Sequence, residues 1–144
     1  MDSRLNAPWL ALRLGIGLTA TLAGLDKFFN LLTDWSAYVS PLAAQVLPFS
    51  TTTFMDIVGV VELAVGVAVL IASTRLGAYV ASAWLILVAI NLAVAGYFDV
   101  AVRDVVMSIG AFTLARLTEV RQEAPVNAQR AIPNFQPLPT GNSR

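Results

Sequence analysis

The chain has 144 residues, of which 57% are apolar and only 12% charged, and its nine basic and nine acidic side chains cancel to a net charge of zero. Soluble domains carry about 25% charged residues, so this composition indicates one polytopic membrane domain, and with no basic run there is no footprint for nucleic acid. Cysteine and histidine are both absent. That excludes disulfides, thiol redox pairs, iron–sulfur clusters, Cys- or His-ligated haem or zinc, and Ser-His-Asp or Cys-His nucleophiles, so any electron carrier must be a diffusible ligand such as a quinone or must sit on a partner.

Residues 1–7 form a short polar start, and Pro8 suits the first turn of a helix, where its missing N–H costs nothing. A first span is expected over 8–30, long enough to cross ~30 Å of hydrocarbon. At 100° per residue, Arg13, Gly17, Ala20, Gly24 and Lys27 share one face: a seam of small residues with a cation at each end, and Asp26 beside the second. Arg4 ahead of an apolar run, with Thr21-Leu22-Ala23 after it, faintly resembles a signal peptide, but Arg13 interrupts the run, so the segment is read as a retained span.

Residues 31–50 are too broken to cross. Trp35 and Tyr38 read as headgroup-level anchors, and Pro41 and Pro48 bracket a short apolar piece, so an interfacial helix is expected across the mouth of the bundle. The second span, 51–73, carries Asp56 early and Glu62 near its middle. Gly59, Glu62, Gly66 and Ser73 share a face, which puts the glutamate on the packing side rather than the lipid side. The third span, 76–96, holds Trp84 and, late, Asn91. The fourth, 100–117, opens with Arg103 and Asp104, and Asp104, Ser108, Ala111 and Ala115 line one face of it. Residues 119–144, with four prolines, read as a flexible tail. In that tail Ile132, Phe135 and Leu138 are candidate anchors on a partner; a solvated tail without a role is the equal alternative. The expected fold is all-α: a four-helix transmembrane bundle over 1–118, a short interfacial helix between helices 1 and 2, and a disordered C-terminal tail.

The positive-inside rule puts Arg4, Arg75, Arg116, Arg121, Arg130 and Arg144 on one side, with Arg13 near the boundary, and Lys27 and Arg103 on the other. Both termini are therefore expected in the cytoplasm. Each unpaired charge near a helix centre costs ~2.5–3.5 kcal/mol, so the intramembrane cluster Arg13, Asp26, Lys27, Asp56, Glu62, Asn91, Arg103 and Asp104 should face inward and pair. The expected pairs are Arg13 with Glu62, and Lys27 with Asp104 or Asp56. Such pairs can serve only to fix register. Alternatively they can line a polar cavity capped by Trp35 and Tyr38, where a quinone headgroup binds and a partly unpaired carboxylate exchanges a proton.

The run Leu12-Arg13-Leu14-Gly15, continuing to Ala23-Gly24-Leu25-Asp26-Lys27-Phe28, resembles the opening of DoxX-like membrane proteins, which show an arginine early in helix one and a glycine-x-x-lysine at its end. Glu62 followed by Gly66 is similar to the family's intramembrane glutamate. The resemblance covers roughly residues 10–118 and matches at Arg13, Lys27 and Glu62. It implies a small four-helix protein of a bacterial or archaeal inner membrane, related to subunits of a thiosulfate:quinone oxidoreductase, and it transfers no catalytic residue. The leading expectation is an accessory subunit of a membrane oxidoreductase or electron-transfer assembly, with other membrane subunits as partners and no resident metal. An autonomous quinone-binding oxidoreductase subunit is the second expectation, and a small-solute or lipid carrier the third.

Overall fold

The computed structural model describes the backbone of residues 3–130 and the side chains of residues 4–124. Among these the chain is all-helical. A 3-10 turn (Ser3–Leu5) leads into α1 (Asn6–Asp26). A second 3-10 turn (Trp35–Tyr38) precedes the short α2 (Pro41–Val46), and α3 (Thr51–Val67), α4 (Thr74–Val94) and α5 (Phe98–Arg130) follow. α1, α3 with its continuation to Ala72, and α4 are each long and apolar enough to cross a membrane.

Local chemistry sets the boundaries. Asn30 adopts a left-handed conformation (φ 51°) after the turn that ends α1. The Asp26 carboxylate then captures the N–H groups of Leu31 and Leu32, each at 3.0 Å, so the chain leaves the helix without orphaned donors. Ser40 caps α2 by accepting from the Ala43 N–H, with Pro41 at the first helical position, and Ser50 caps α3 by accepting from Thr53. The last turn of α3, Ala68–Ala72, opens to π geometry, the Ser73 N–H reaching the Ala68 carbonyl at 2.9 Å. Gly96, at φ +88°, makes the turn into α5.

α1 packs chiefly on α3, and α4 on α5. Arg13, early in α1, touches the end of α3, and Tyr79, early in α4, touches Glu119, late in α5. The long helices therefore alternate in direction. The starts of α1 and α4 share one end of the molecule (the N-terminal end) with the finish of α3 and the later turns of α5. The mid-level core takes one residue from each long helix: Ile16, Val65, Ala81 and Ala111. Towards the N-terminal end Val69, Ala78, Leu114 and Ala115 pack beneath Trp9 and Tyr79; towards the opposite end Ala89, Leu92 and Ala101 pack against Tyr38 and Tyr97.

The α1–α3 contact is a backbone-to-backbone approach. A Cβ on Gly24 would lie 2.6 Å from the Leu63 nitrogen and 2.7 Å from the Gly59 oxygen, and one on Gly66 would lie 2.8 Å from the Gly17 oxygen. Small residues let helices come this close where apolar burial drives nothing, as in lipid. The outward faces are apolar instead: Leu10, Leu14, Leu18, Leu22 and Leu25 on α1, Ile57, Val60 and Ile71 on α3 and its extension, Leu87, Ile90 and Val94 on α4, and Val102, Val106 and Ile109 on α5 all stand exposed. An exposed apolar face that large marks a surface made for something other than water.

Residues 119–130, expected as part of a flexible tail, are helical instead. α5 runs unbroken to Arg130. Its turn at 118–121 is held by tertiary contacts before Pro125 is reached: Trp9 Nε1 donates to Thr118 Oγ1 at 2.9 Å, and Arg121 to Asn6 Oδ1 at 2.8 Å. Ile132, Phe135 and Leu138 lie outside the described residues.

Candidate functional site

α1 ends by placing two buried charges side by side, Asp26 and Lys27. Lys27 Nζ lies 2.5 Å from Glu62 Oε2, the two side chains being 4% and 14% exposed. The register explains the pairing. Gly24 and Gly59 are in contact, which leaves the Lys27 stem free to pass over Gly59 towards Glu62 one turn deeper. Helical side chains tilt towards the N-terminus of their own helix. Because α1 and α3 are antiparallel, Lys27 and Glu62 lean towards each other.

Arg13 does not meet Glu62. It sits opposite Val69 and Leu70, seven or more residues beyond Glu62, about 10 Å along the helix at 1.5 Å per residue, and it leans the other way. Its guanidinium donates to the Val69 carbonyl at 3.2 Å and to the Leu70 carbonyl, and stacks on Trp9 with 5.1 Å to the ring centre. Thr74 Oγ1 donates to the same Val69 oxygen at 2.9 Å. Arg13 is thus the cap of the π-turn, a cation at the negative end of a helix where carbonyls lack intrahelical partners.

Above the ion pair lies a roof. The Trp35 ring is centred 3.8 Å from Lys27 Nζ, and its Nε1 donates to Asp26 Oδ2 at 2.8 Å. Asp26 therefore holds the loop and the roof at once, and the buried ammonium has the Trp35 π-face on one side and the Glu62 carboxylate on another. The strap continues to Tyr38, whose ring packs 4.8 Å from Tyr97. Asn91 grips it from α4, donating to the Tyr38 carbonyl at 2.8 Å and accepting from the Ser40 N–H at 3.1 Å. Residues 35–40 thereby tie α1 to α4 across this end of the molecule. Trp35 and Tyr38, expected as interfacial anchors, are bonded into the fold as well.

The expected pairing of Lys27 with Asp104 or Asp56 is likewise replaced. Asp104, buried in α5, accepts from its neighbour Arg103 through Nε at 3.0 Å and Nη2 at 2.9 Å, while Arg103 itself reaches outward. Asp56 is half-buried in the second turn of α3, and its carboxylate has no ion pair among the described residues. Of the eight residues expected as one cluster, the structure joins Asp26, Lys27 and Glu62 through Trp35. It sets Asn91 of α4 against the strap, pairs Arg103 with Asp104, leaves Asp56 apart, and sends Arg13 to the opposite end.

That opposite end carries a network sequence reasoning missed. Glu119 accepts from Tyr79 at 3.0 Å, pairs with Arg75 at 3.2 Å, and pairs with Arg116 one turn before it. Both Arg13 and Arg121 stack on the Trp9 ring, the latter 4.3 Å from its centre. The i,i+3 spacing of Arg116 and Glu119 was the available signal. One buried donor stands alone: Trp84 Nε1 has no acceptor among the described residues.

No family model, no curated protein and no solved structure matches the chain. The resemblance to DoxX-like proteins thus stands on Arg13, Gly24-x-x-Lys27 and Glu62 alone.

Proposed function

We propose that this chain is a four-helix transmembrane bundle of a bacterial or archaeal inner membrane, with α5 as the fourth span, acting as a non-catalytic accessory subunit. α5 fails a simple apolar-length criterion because charges stand at both ends of its apolar stretch 105–115, yet it runs the same course as the other three and contributes equally to the mid-level core. Arg4, Arg13, Arg75, Arg116 and Arg121 belong to the N-terminal end and Lys27 and Arg103 to the other, an asymmetry that supports cytoplasmic termini by the positive-inside rule.

The observation that carries the accessory reading is the internal use of the buried charges. Lys27 is taken by Glu62 and Trp35, Asp26 by the loop it holds, Arg13 by helix-end carbonyls and Asp104 by Arg103. Groups spent on fixing register and a strap are poorly placed to turn over a substrate. On the DoxX-like resemblance, the assembly it would serve is a membrane oxidoreductase or electron-transfer complex, with redox ligands on the partner.

A second reading, a quinone-binding subunit, has one observation in its favour: the buried Trp84 Nε1 offers an unused donor that a quinone carbonyl would satisfy. Release from native membranes in a mild detergent, followed by mass measurement of the intact particle, separates the two. Stable co-purifying subunits support the accessory reading. A lone chain carrying a quinone supports the second, and a lone chain carrying nothing contradicts both.

A further inference from the structure

The Asp56 carboxylate makes neither hydrogen bond nor ion pair among the described residues, although it stands in the second turn of α3. It shares a face with Val60, four residues on, and both Val60 and the adjoining Ile57 are exposed. The charge is therefore displayed at the edge of an apolar outer surface. On α5 the opposite charge is displayed in the same way. Arg103 turns the Nε and Nη2 edge of its guanidinium to Asp104, yet its side chain is 62% exposed and Nη1 is unused. Its neighbours Val102 and Val106 are exposed as well.

The two charges lie at one depth. Val65 of α3 and Ala111 of α5 share the mid-level core, and the two helices run in the same direction. Asp56 stands nine residues before Val65 and Arg103 eight before Ala111, about 12–14 Å towards the same end at 1.5 Å per residue. They do not pair within one chain, because α3 packs on α1 and α5 on α4, diagonally across the bundle. Two copies in one membrane share orientation and depth. A sideways approach of α3 in one to α5 in the next brings Asp56 level with Arg103 of the second copy.

We propose that the chain associates with a second copy of itself through the α3 face of one and the α5 face of the other, Asp56 pairing with Arg103 across the contact. The contact is head-to-tail, so it grows until a ring closes. In lipid the apolar stripes alone select nothing, since acyl chains cover them as well as another helix does; the charge pair supplies the selection. A different membrane subunit needs a cation at this depth, and this chain already carries one. The proposal goes beyond the accessory reading and rests on α3 and α5 both spanning the membrane. Thiol labelling of single cysteines placed at either end of α5, from each side of the membrane, tests that separately.

Benzoylphenylalanine placed at Val60 of the full chain, illuminated in the membranes of the expressing cell, captures whatever covers this face. The expected product is a covalent dimer of the chain, with the crosslink mapping by peptide mass to α5 between Val102 and Ile109. The same group at Leu87, exposed on α4, should give lipid adducts only. Asp56→Asn should lower the dimer yield at Val60 about fivefold, with circular dichroism unchanged because the carboxylate serves nothing inside the chain, and Asp56→Glu should retain it. Arg103 is left intact, since Asp104 depends on it. Lipid adducts alone at Val60, capture of a different protein, or a crosslink mapping to α3 of the second copy each overturn the proposal. So does a dimer yield that Asp56→Asn leaves unchanged, or one that Leu87 matches.

Discussion

Lys27 and Glu62, 35 positions apart in the chain, meet because each side chain leans towards the start of its own helix and the two helices run in opposite directions. The glycines at 24 and 59 permit it, since a side chain at 59 would crowd the lysine stem and one at 24 would strike the α3 backbone beside Glu62. A buried ion pair built this way specifies the α1–α3 register: sliding either helix by one turn leaves two charges unpaired in the apolar interior. Trp35 completes the arrangement from above, and Asp26 completes Trp35.

The glycine seam should tolerate nothing larger. Gly59→Leu places atoms against the Gly24 carbonyl and should destabilise the chain by about 1–3 kcal/mol, as overpacking does elsewhere. Gly15→Leu, on the same helix as Gly24 but with no atom within 4 Å of its would-be Cβ, should be within about 0.5 kcal/mol of the parent. Unfolding in mixed micelles with rising dodecyl sulfate reads both. Equal loss in the two variants would remove the seam from the account.

Arg13 serves carbonyls, not a carboxylate. Arg13→Leu should therefore cost about 1–3 kcal/mol for the Leu70 carbonyl left without its donor, Val69 keeping that of Thr74. The exchange Arg13→Glu with Glu62→Arg should recover nothing relative to either single change. Rescue by that exchange, measured as folded yield in membranes, would restore the pairing suggested by depth along the helices alone.

The roof hangs on Asp26. The chain lacks cysteine, so Ser36→Cys gives a single reporter on the strap. Adding Asp26→Ala removes the acceptor of Trp35 Nε1 and of two backbone N–H groups, and labelling of the introduced thiol by a water-soluble maleimide should quicken severalfold. Asn91→Ala, which releases the strap from the α4 side, should have a similar effect. Unchanged labelling in both would show that the strap is held by its aromatic contacts instead.

Much of the helix layout is legible in the residues themselves. The 100° spacing of Gly17 and Gly24 identifies the face α1 packs with, and the clustering of Gly59, Glu62 and Gly66 identifies its partner face. Trp35 and Tyr38 mark the segment that does not cross. What fails is pairing. Counting depth along the helices matches Arg13 to Glu62, whereas the tilt of side chains along each helix sends Arg13 one way and Glu62 the other. The turns beyond 118 are masked by proline content, although Thr118 and Arg121 secure the helix before the first of those prolines. The use of Asp26 as a loop anchor carries no periodic signal: it depends on where Leu31, Leu32 and Trp35 fall once the helix has ended.

Most rests on Lys27 and Glu62 being partners to each other rather than ligands for something else. A double-mutant cycle in mixed micelles measures this directly. Lys27→Met alone should cost about 3–5 kcal/mol, because Glu62 is left without its partner in an apolar interior, and Glu62→Met should cost a similar amount. The double variant Lys27→Met with Glu62→Met should return to within about 1 kcal/mol of the parent, since an apolar pair of like volume replaces an ion pair at little cost. Additive losses in the double variant would contradict the account.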